Sequence, residues 1–267
     1  MNRSEIISKW YRKLKFSSCY DEEFYLCLNK IDLQDLSTFK SYDYKNNTPQ
    51  KNLLACLYFC EELEKEYQKA GILESILLDS LQDLVLWNEK YYELNNEIGL
   101  TELPWISRTF LMQIFRLGRL QFSMFPSEFD VAELGIKVND PVLEVHIPSG
   151  EPLLYDECLK SFEQAKSFFK KYYPKYPTEW CLCHSWLLDE TLLQIIGSNS
   201  NVAKFQTLFK IVNKNEADSV LRYLFLWNTT RENLESVVPK SGFAKRLQES
   251  VLHENRKLYE ALGIRKL

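Results

Sequence analysis

The chain has 267 residues, 45% of them hydrophobic and 14% aromatic, and carries a formal net charge of −4. That composition excludes a disordered protein and allows one large or two modest folded domains, each able to bury a core. Lys and Arg are scattered, which excludes a nucleic-acid stripe, and no apolar run approaches the roughly 18–20 residues that cross a bilayer.

Only 8 glycines and 9 prolines point to a mostly helical chain with few tight turns. The stretch Met1–Trp10 lacks a hydrophobic signal core and reads as an ordinary first helix. Apolar residues recur at three and four from Ser4 to Leu14 and from Glu22 to Leu33, which predicts two amphipathic helices. After a polar loop, Thr48 and Pro49 form a cap-and-first-position start. That helix runs through Leu53, Leu57 and Cys60 to Gly71. A longer helix follows from Leu73 to about Asn96. The run Glu62-Leu-Glu-Lys-Glu66 is a solvated helix face. No catalytic motif falls in this half, which reads as a helical scaffold or lid.

After Gly99 the period changes. Leu103–Gln113 is a further helix with Pro104 at its start, and Phe115–Phe125 reads as one strand in which Gly118 permits close backbone approach. Val142–Ile147 is a second strand, ended by Pro148-Ser-Gly-Glu-Pro152. A long helix spans Tyr155 to about Tyr172. Glu179–Asp189 reads as a strand, with Trp180, Leu182, His184 and Trp186 on one face and Cys181, Cys183, Ser185 and Leu187 on the other. Asp189 caps the helix Glu190–Ile196, which Gly197 stops. Asn201–Val212 alternates cleanly, with Ala203, Phe205, Thr207, Phe209 and Ile211 inward, and is expected to be a strand. Asp218–Phe225 and Ser241–Arg256 are helical, and Lys257–Leu262 is a closing strand.

A strand, a crossover helix and a parallel strand form a unit whose ligands bind outside the carboxyl ends of the strands. Val142–Ile147 and Trp180–Leu187 are therefore expected to be parallel neighbours. That brings His146 and His184, two of only three histidines, to adjacent strand ends. Either imidazole is a candidate general base, as is Glu144 on the His146 face; each also has a purely structural reading. Arg116 and Arg119 fall on opposite faces of their strand, and Arg119 suits a structural ion pair or an anionic ligand.

The seven cysteines follow no disulfide or zinc spacing and read as buried hydrophobes in a reducing cytosol. Cys183 and His184 point to opposite faces, which disfavours a thiol nucleophile. The same geometry disfavours a zinc site, and no metal is expected.

The segments Phe115-Arg-Leu-Gly-Arg-Leu-Gln-Phe122, His146-Ile-Pro-Ser-Gly150, Cys183-His-Ser-Trp-Leu-Leu-Asp189 and Lys204-Phe-Gln-Thr-Leu-Phe209 carry a resemblance over nearly the whole chain. It resembles the bacterial acyltransferase-domain proteins that join a helical N-terminal domain to a GNAT-like C-terminal domain. The resemblance implies an α+β or α/β fold, with a helical domain over residues 1–112 and a GNAT-like mixed sheet with flanking helices over 113–267. By superfamily it implies transfer of an acyl group, acetyl being the expected one, from acetyl-CoA or another acyl-CoA to a small-molecule amine. The catalytic candidates are then His146, His184 and Glu144.

Pantetheine would lie between the two parallel strands as they splay. The diphosphate would meet the loop after the first of them, with Ile147, Ser149 and Gly150, and Ser198 and Asn199 could also touch the cofactor. The superfamily's loop pattern maps to Ile147, Gly150 and Pro152, so only its middle glycine is kept. Pro152 offers no N–H and Glu151 would repel a diphosphate. Also, no tyrosine lies between Glu190 and Ile196, where the superfamily often carries a proton donor. A GNAT-derived binding or sensor protein that has lost the chemistry is the rival reading. A cytoplasmic protein with neither membrane nor nucleic-acid partners is expected.

Overall fold

A computed structural model describes all residues from Met1 to Leu267. The chain divides into two compact units, Met1–Arg116 and Leu117–Leu267.

The first unit is helical: α1 (Arg3–Lys13), α2 (Asp21–Lys30), α3 (Pro49–Ala70), α4 (Glu74–Asn95) and α5 (Leu103–Phe110). The start signal at Thr48 is used as read, its hydroxyl accepting from the Lys51 N–H at 3.2 Å with Pro49 in the first turn. Gly71 ends α3 in the left-handed region at φ +69°, a conformation that glycine adopts without steric cost. The apolar side of α3 (Leu53, Leu54, Leu57, Phe59 and Leu63) is buried together with Trp10 of α1. The Trp10 indole N–H also reaches the Glu61 carboxylate at 3.1 Å, so a ring buried for its area keeps its one polar atom satisfied.

The second unit holds β2 (Leu120–Pro126), β3 (Pro141–His146), β4 (Trp180–Ser185), β5 (Lys210–Glu216) and β6 (Tyr259–Lys266), preceded by the short β1 (Ile114–Leu117) at the boundary. These strands lie in the order β2-β3-β4-β6-β5. All neighbours are antiparallel except β3 and β4, which are parallel and joined through α6 (Tyr155–Tyr172). Four shorter helices complete the unit: α7 (Leu193–Ile196), α8 (Asn201–Gln206), α9 (Ser219–Leu224) and α10 (Gly242–Glu254). Phe162 of α6 meets Phe122 edge-on, with ring centroids 5.6 Å apart, so α6 lies on the sheet face that Phe122 presents. The opposite face is floored by Val142, Leu182, Leu262 and Ile264, packed beneath Val131.

Several strand expectations change. The strand expected over Glu179–Asp189 ends at Ser185, where the Ser185 hydroxyl accepts from the Leu187 N–H and a 3-10 turn takes Trp186–Leu188, and the closing strand spans Tyr259–Lys266 rather than Lys257–Leu262. Phe115–Phe125 is not one strand: Gly118, at φ +73°, and Arg119 form a turn that breaks it. A Cβ on Gly118 would lie 3.0 Å from the Ser161 hydroxyl, which accepts from the Arg119 N–H at 2.8 Å. Close approach and positive φ thus coincide there. Asn201–Val212 is likewise not a strand. Ser200 accepts from the Ala203 N–H at 3.1 Å and starts α8, and β5 begins only at Lys210. The alternating pattern from Ala203 to Ile211 is outweighed by a good helix cap.

Gly263 of β6 pairs with Cys183 of β4. A Cβ there would stand 2.8 Å from Cβ of Phe209 and 2.9 Å from Cδ1 of Leu188. Gly263→Ala should therefore cost about 1–3 kcal/mol through overpacking, read as a lowered midpoint in urea at unchanged slope.

Candidate functional site

The parallel β3–β4 pairing is short. Leu143 pairs with Cys181 and Glu144 with Leu182, yet β3 runs on to His146 and β4 to Ser185. On their outer sides both strands stay paired to the end, His146 with Gln121 of β2 and Ser185 with Ala261 of β6. The two strands therefore part at their carboxyl ends, where an open sheet of this kind binds its ligands.

The register decides which side chains meet there. Because a strand alternates, Glu144 and His146 share a face with Ser123 of β2, and Leu182 and His184 share that face with Leu262 and Glu260. Ser123 Oγ lies 2.8 Å from Nε2 of His146 and donates to Oε2 of Glu144 at 3.4 Å. The same Glu144 oxygen is 3.6 Å from His146 Nε2. Ser123 is fully buried, whereas the His146 side chain keeps 26% of its surface exposed. His146 and Glu144 thus stand together, backed by a buried hydroxyl, on the solvent-reaching side of the strand end.

His184 forms a second pair. Its Nε2 lies 3.7 Å from Oε2 of Glu260, and its ring lies 4.7 Å from that of Phe129. With a third of its side chain exposed it is not the core histidine of the structural reading.

The loop between β3 and α6 contains Ile147, Ser149 and Gly150, and Gly150 takes φ +105°, a region strained for any side-chain-bearing residue. Arg119 holds the far side of this loop. Its Nη2 donates to the Glu151 carbonyl at 2.8 Å and its Nε to the Pro152 carbonyl at 3.1 Å. The expected facing of Arg119 across a strand is therefore replaced by a turn position that fastens the loop. Helix α6 begins without a side-chain cap, and carries Asp156 and Glu157 in its first turn. Ser198 and Asn199 are exposed in the turn between α7 and α8.

Burial raises the Cys183 thiol far above its ordinary range, and the Cys181 thiol to about 12. Both lie on the face away from His184, and neither makes a thiolate near neutral pH. The residues that sequence reasoning missed are Ser123, Phe129 and Glu260. Ser123 left one trace, the one hydroxyl in the largely apolar stretch Leu120–Phe125, where a buried polar atom requires a partner.

Native protein treated with iodoacetamide at neutral pH should label Cys19, which is exposed, and leave Cys56, Cys60, Cys158, Cys181 and Cys183 intact until denaturant is added. Native labelling of Cys183, read by peptide mass spectrometry, would contradict its buried state.

The GNAT-like C-terminal domain family matches residues 114–265, and the N-acyltransferase N-terminal domain matches residues 18–112. Solved structures resemble the whole chain in fold. An acyltransferase in complex with decanoyl-CoA superposes with a TM-score of 0.78 at 20% identity, over 97% of this chain and 87% of the other. An acyltransferase in complex with decanoyl-CoA and teicoplanin gives 0.78 at 18% identity, over 100% and 89%. A mutant acyltransferase in complex with octanoyl-CoA gives 0.80 at 18% identity, again over 100% and 89%. No curated protein matches the chain. With its GNAT-like domain matched over more than half its length, behind an N-acyltransferase N-terminal domain, the chain belongs to the GNAT-like acyltransferase family.

Proposed function

We propose that the chain transfers a medium-length acyl group from a CoA thioester to an amine of a small-molecule acceptor. The observation that carries the reading is the Glu144–His146 pair at the strand end where β3 and β4 part. In the reaction the amine attacks the thioester carbonyl, and the new C–N bond forms as the amine proton passes to His146. A backbone N–H of the parted strands holds the oxyanion. The C–S bond then breaks, and the thiolate leaves with a proton taken from the imidazolium or from water. Glu144 favours the imidazolium that forms. His184, paired with Glu260, is the other base candidate, and Ile147, Ser149, Gly150, Ser198 and Asn199 are the candidate contacts to the CoA.

Chain length and acceptor rest on the structurally similar acyltransferases, which bind octanoyl-CoA, decanoyl-CoA and teicoplanin. They support a medium acyl chain over acetyl and a small-molecule acceptor. One observation favours the second reading, a binding protein without turnover. The loop lacks an N–H at Pro152, and Glu151 in the loop with Asp156 and Glu157 in the first turn of α6 would repel a diphosphate bound there.

Thermal melting with acetyl-, octanoyl- and decanoyl-CoA tests the reading. A ligand at about 100 times its Kd stabilises by roughly 2.7 kcal/mol, and the larger shift is expected with the two longer chains. No shift with any of them sinks the proposal. His146→Ala should lower kcat roughly 10²–10⁴-fold while the melting shift with decanoyl-CoA persists. If kcat holds in His146→Ala and falls in His184→Ala, the base is His184. A protein that binds the thioesters but transfers to no amine supports the second reading.

A further inference from the structure

Residues 127–140, which join β2 to β3, lie across the site face of the sheet as a strap. Its feet stand on β2 and β3, and Glu133 near its middle meets Lys210 of β5, the far edge strand, at 2.6 Å. In between, Val131 is buried on the apolar floor, and Phe129, Leu134 and Ile136 pack against the same cluster. The strap satisfies its polar groups within itself. The Ser127 N–H donates to the Asp140 carbonyl at 2.7 Å and the Asn139 N–H to the Ser127 carbonyl at 2.8 Å. Val131 and Ile136 exchange backbone bonds of 2.9 and 3.2 Å, and the Asp130 carboxylate accepts from the Val138 N–H at 2.9 Å. The tie to β5 is an ion pair between two well exposed side chains, which holds weakly. Apolar contact, rather than a backbone ladder, therefore keeps the strap on the floor.

An apolar surface under a self-contained apolar cover suits an apolar ligand, which replaces one set of apolar contacts by another. Phe129 marks the mouth of that surface. Its ring packs on the floor cluster and lies 4.7 Å from the ring of His184, at the end where β3 and β4 part. From the level of His146 back to Val142 on β3 the floor measures about 13 Å. An acetyl group uses little of that length, whereas an extended octanoyl or decanoyl chain fills it. We infer that the acyl chain of the thioester binds on the floor of Val142, Leu182, Leu262 and Ile264, beneath the strap, and that Phe129 sets the chain length accepted. The inference rests on the acyl-CoA reading above and adds to it the place of the acyl chain. Binding lifts the strap as a unit and moves the Phe129 ring off His184. A long-chain thioester, and not free CoA, thus uncovers that imidazole.

The test is methyl NMR of the full chain, with Val, Leu and Ile methyls ¹³C-labelled, titrated with CoA, acetyl-CoA and decanoyl-CoA. The methyls of Val131, Leu134, Ile136, Leu262 and Ile264 are expected to shift with decanoyl-CoA and to stay in place with the other two. Equal shifts with all three, or none with decanoyl-CoA, overturn the inference. Calorimetry then gives the length profile. Each methylene buried on the floor should lower Kd by up to roughly fourfold, so affinity rises from acetyl to decanoyl and levels off beyond. In Phe129→Ala the rise should continue through dodecanoyl- and tetradecanoyl-CoA, and an unchanged profile there overturns the inference. If that variant does not fold, the methyl shifts of the parent protein decide. The decanoyl thioester of N-acetylcysteamine, which carries the chain without the nucleotide, separates this inference from the functional reading. Floor and strap shifts with that probe, beside no response to any CoA thioester, would fail the functional reading alone. Transfer from decanoyl-CoA with the floor methyls unmoved would fail this inference alone.

Discussion

The feature on which the site depends is the brevity of one strand pairing. β3 and β4 are the only parallel neighbours in the sheet of the second unit, and the register between them covers Leu143–Cys181 and Glu144–Leu182. Each strand is nevertheless held along its outer edge, by β2 on one side and β6 on the other. The opening is thus framed by paired strands on both sides. Backbone polar groups that face such an opening need partners, and an amide-bearing ligand laid between the strands would supply them.

The two faces of the sheet divide the labour. Away from the site, Phe122 packs on Phe162, Arg265 stacks over that same Phe162 ring at 4.4 Å, and Cys181 and Cys183 are sealed. On the site face an apolar floor of Val142, Leu182, Leu262 and Ile264 gives way, towards the carboxyl ends, to Glu144, His146, His184 and Glu260. Alternation alone produces this sorting: one residue of slip would send the polar set into the α6 side. The register of β2 against β3, and of β4 against β6, is therefore as much a functional constraint as a structural one.

Much of this was legible in the sequence. Thr48-Pro49, Asp189 and Gly197 announced helix ends because caps are local chemistry, and Asp189 does accept from the Thr191 N–H at 3.0 Å. The two histidines could be sent to strand ends because strand, helix, strand has few topologies. What stayed hidden was cross-strand. Nothing within Leu120–Phe125 tells which residue of β3 will face Ser123, and Glu260 lies 76 positions from His184 in the chain, though 3.7 Å from it in space. The failures had the opposite origin. At Asn201–Val212 a period of two runs through a short helix, and at Phe115–Phe125 a strand-like composition hides a turn at Gly118, because periodicity over so short a stretch does not outweigh a cap or a positive φ.

The sheet's order also sets a schedule. β6 is the last of the strands to be synthesised, yet it lies between β4 and β5, which leave the ribosome well before it. Until it arrives, β4 lacks its antiparallel partner, His184 lacks Glu260, and the floor lacks Leu262 and Ile264. The carboxyl end of β3, with Ser123, Glu144 and His146, needs only β2 and can assemble early. The two halves of the site therefore mature at different times, and a nascent chain carries an unpaired central strand that a chaperone, or a second nascent copy, is free to meet first.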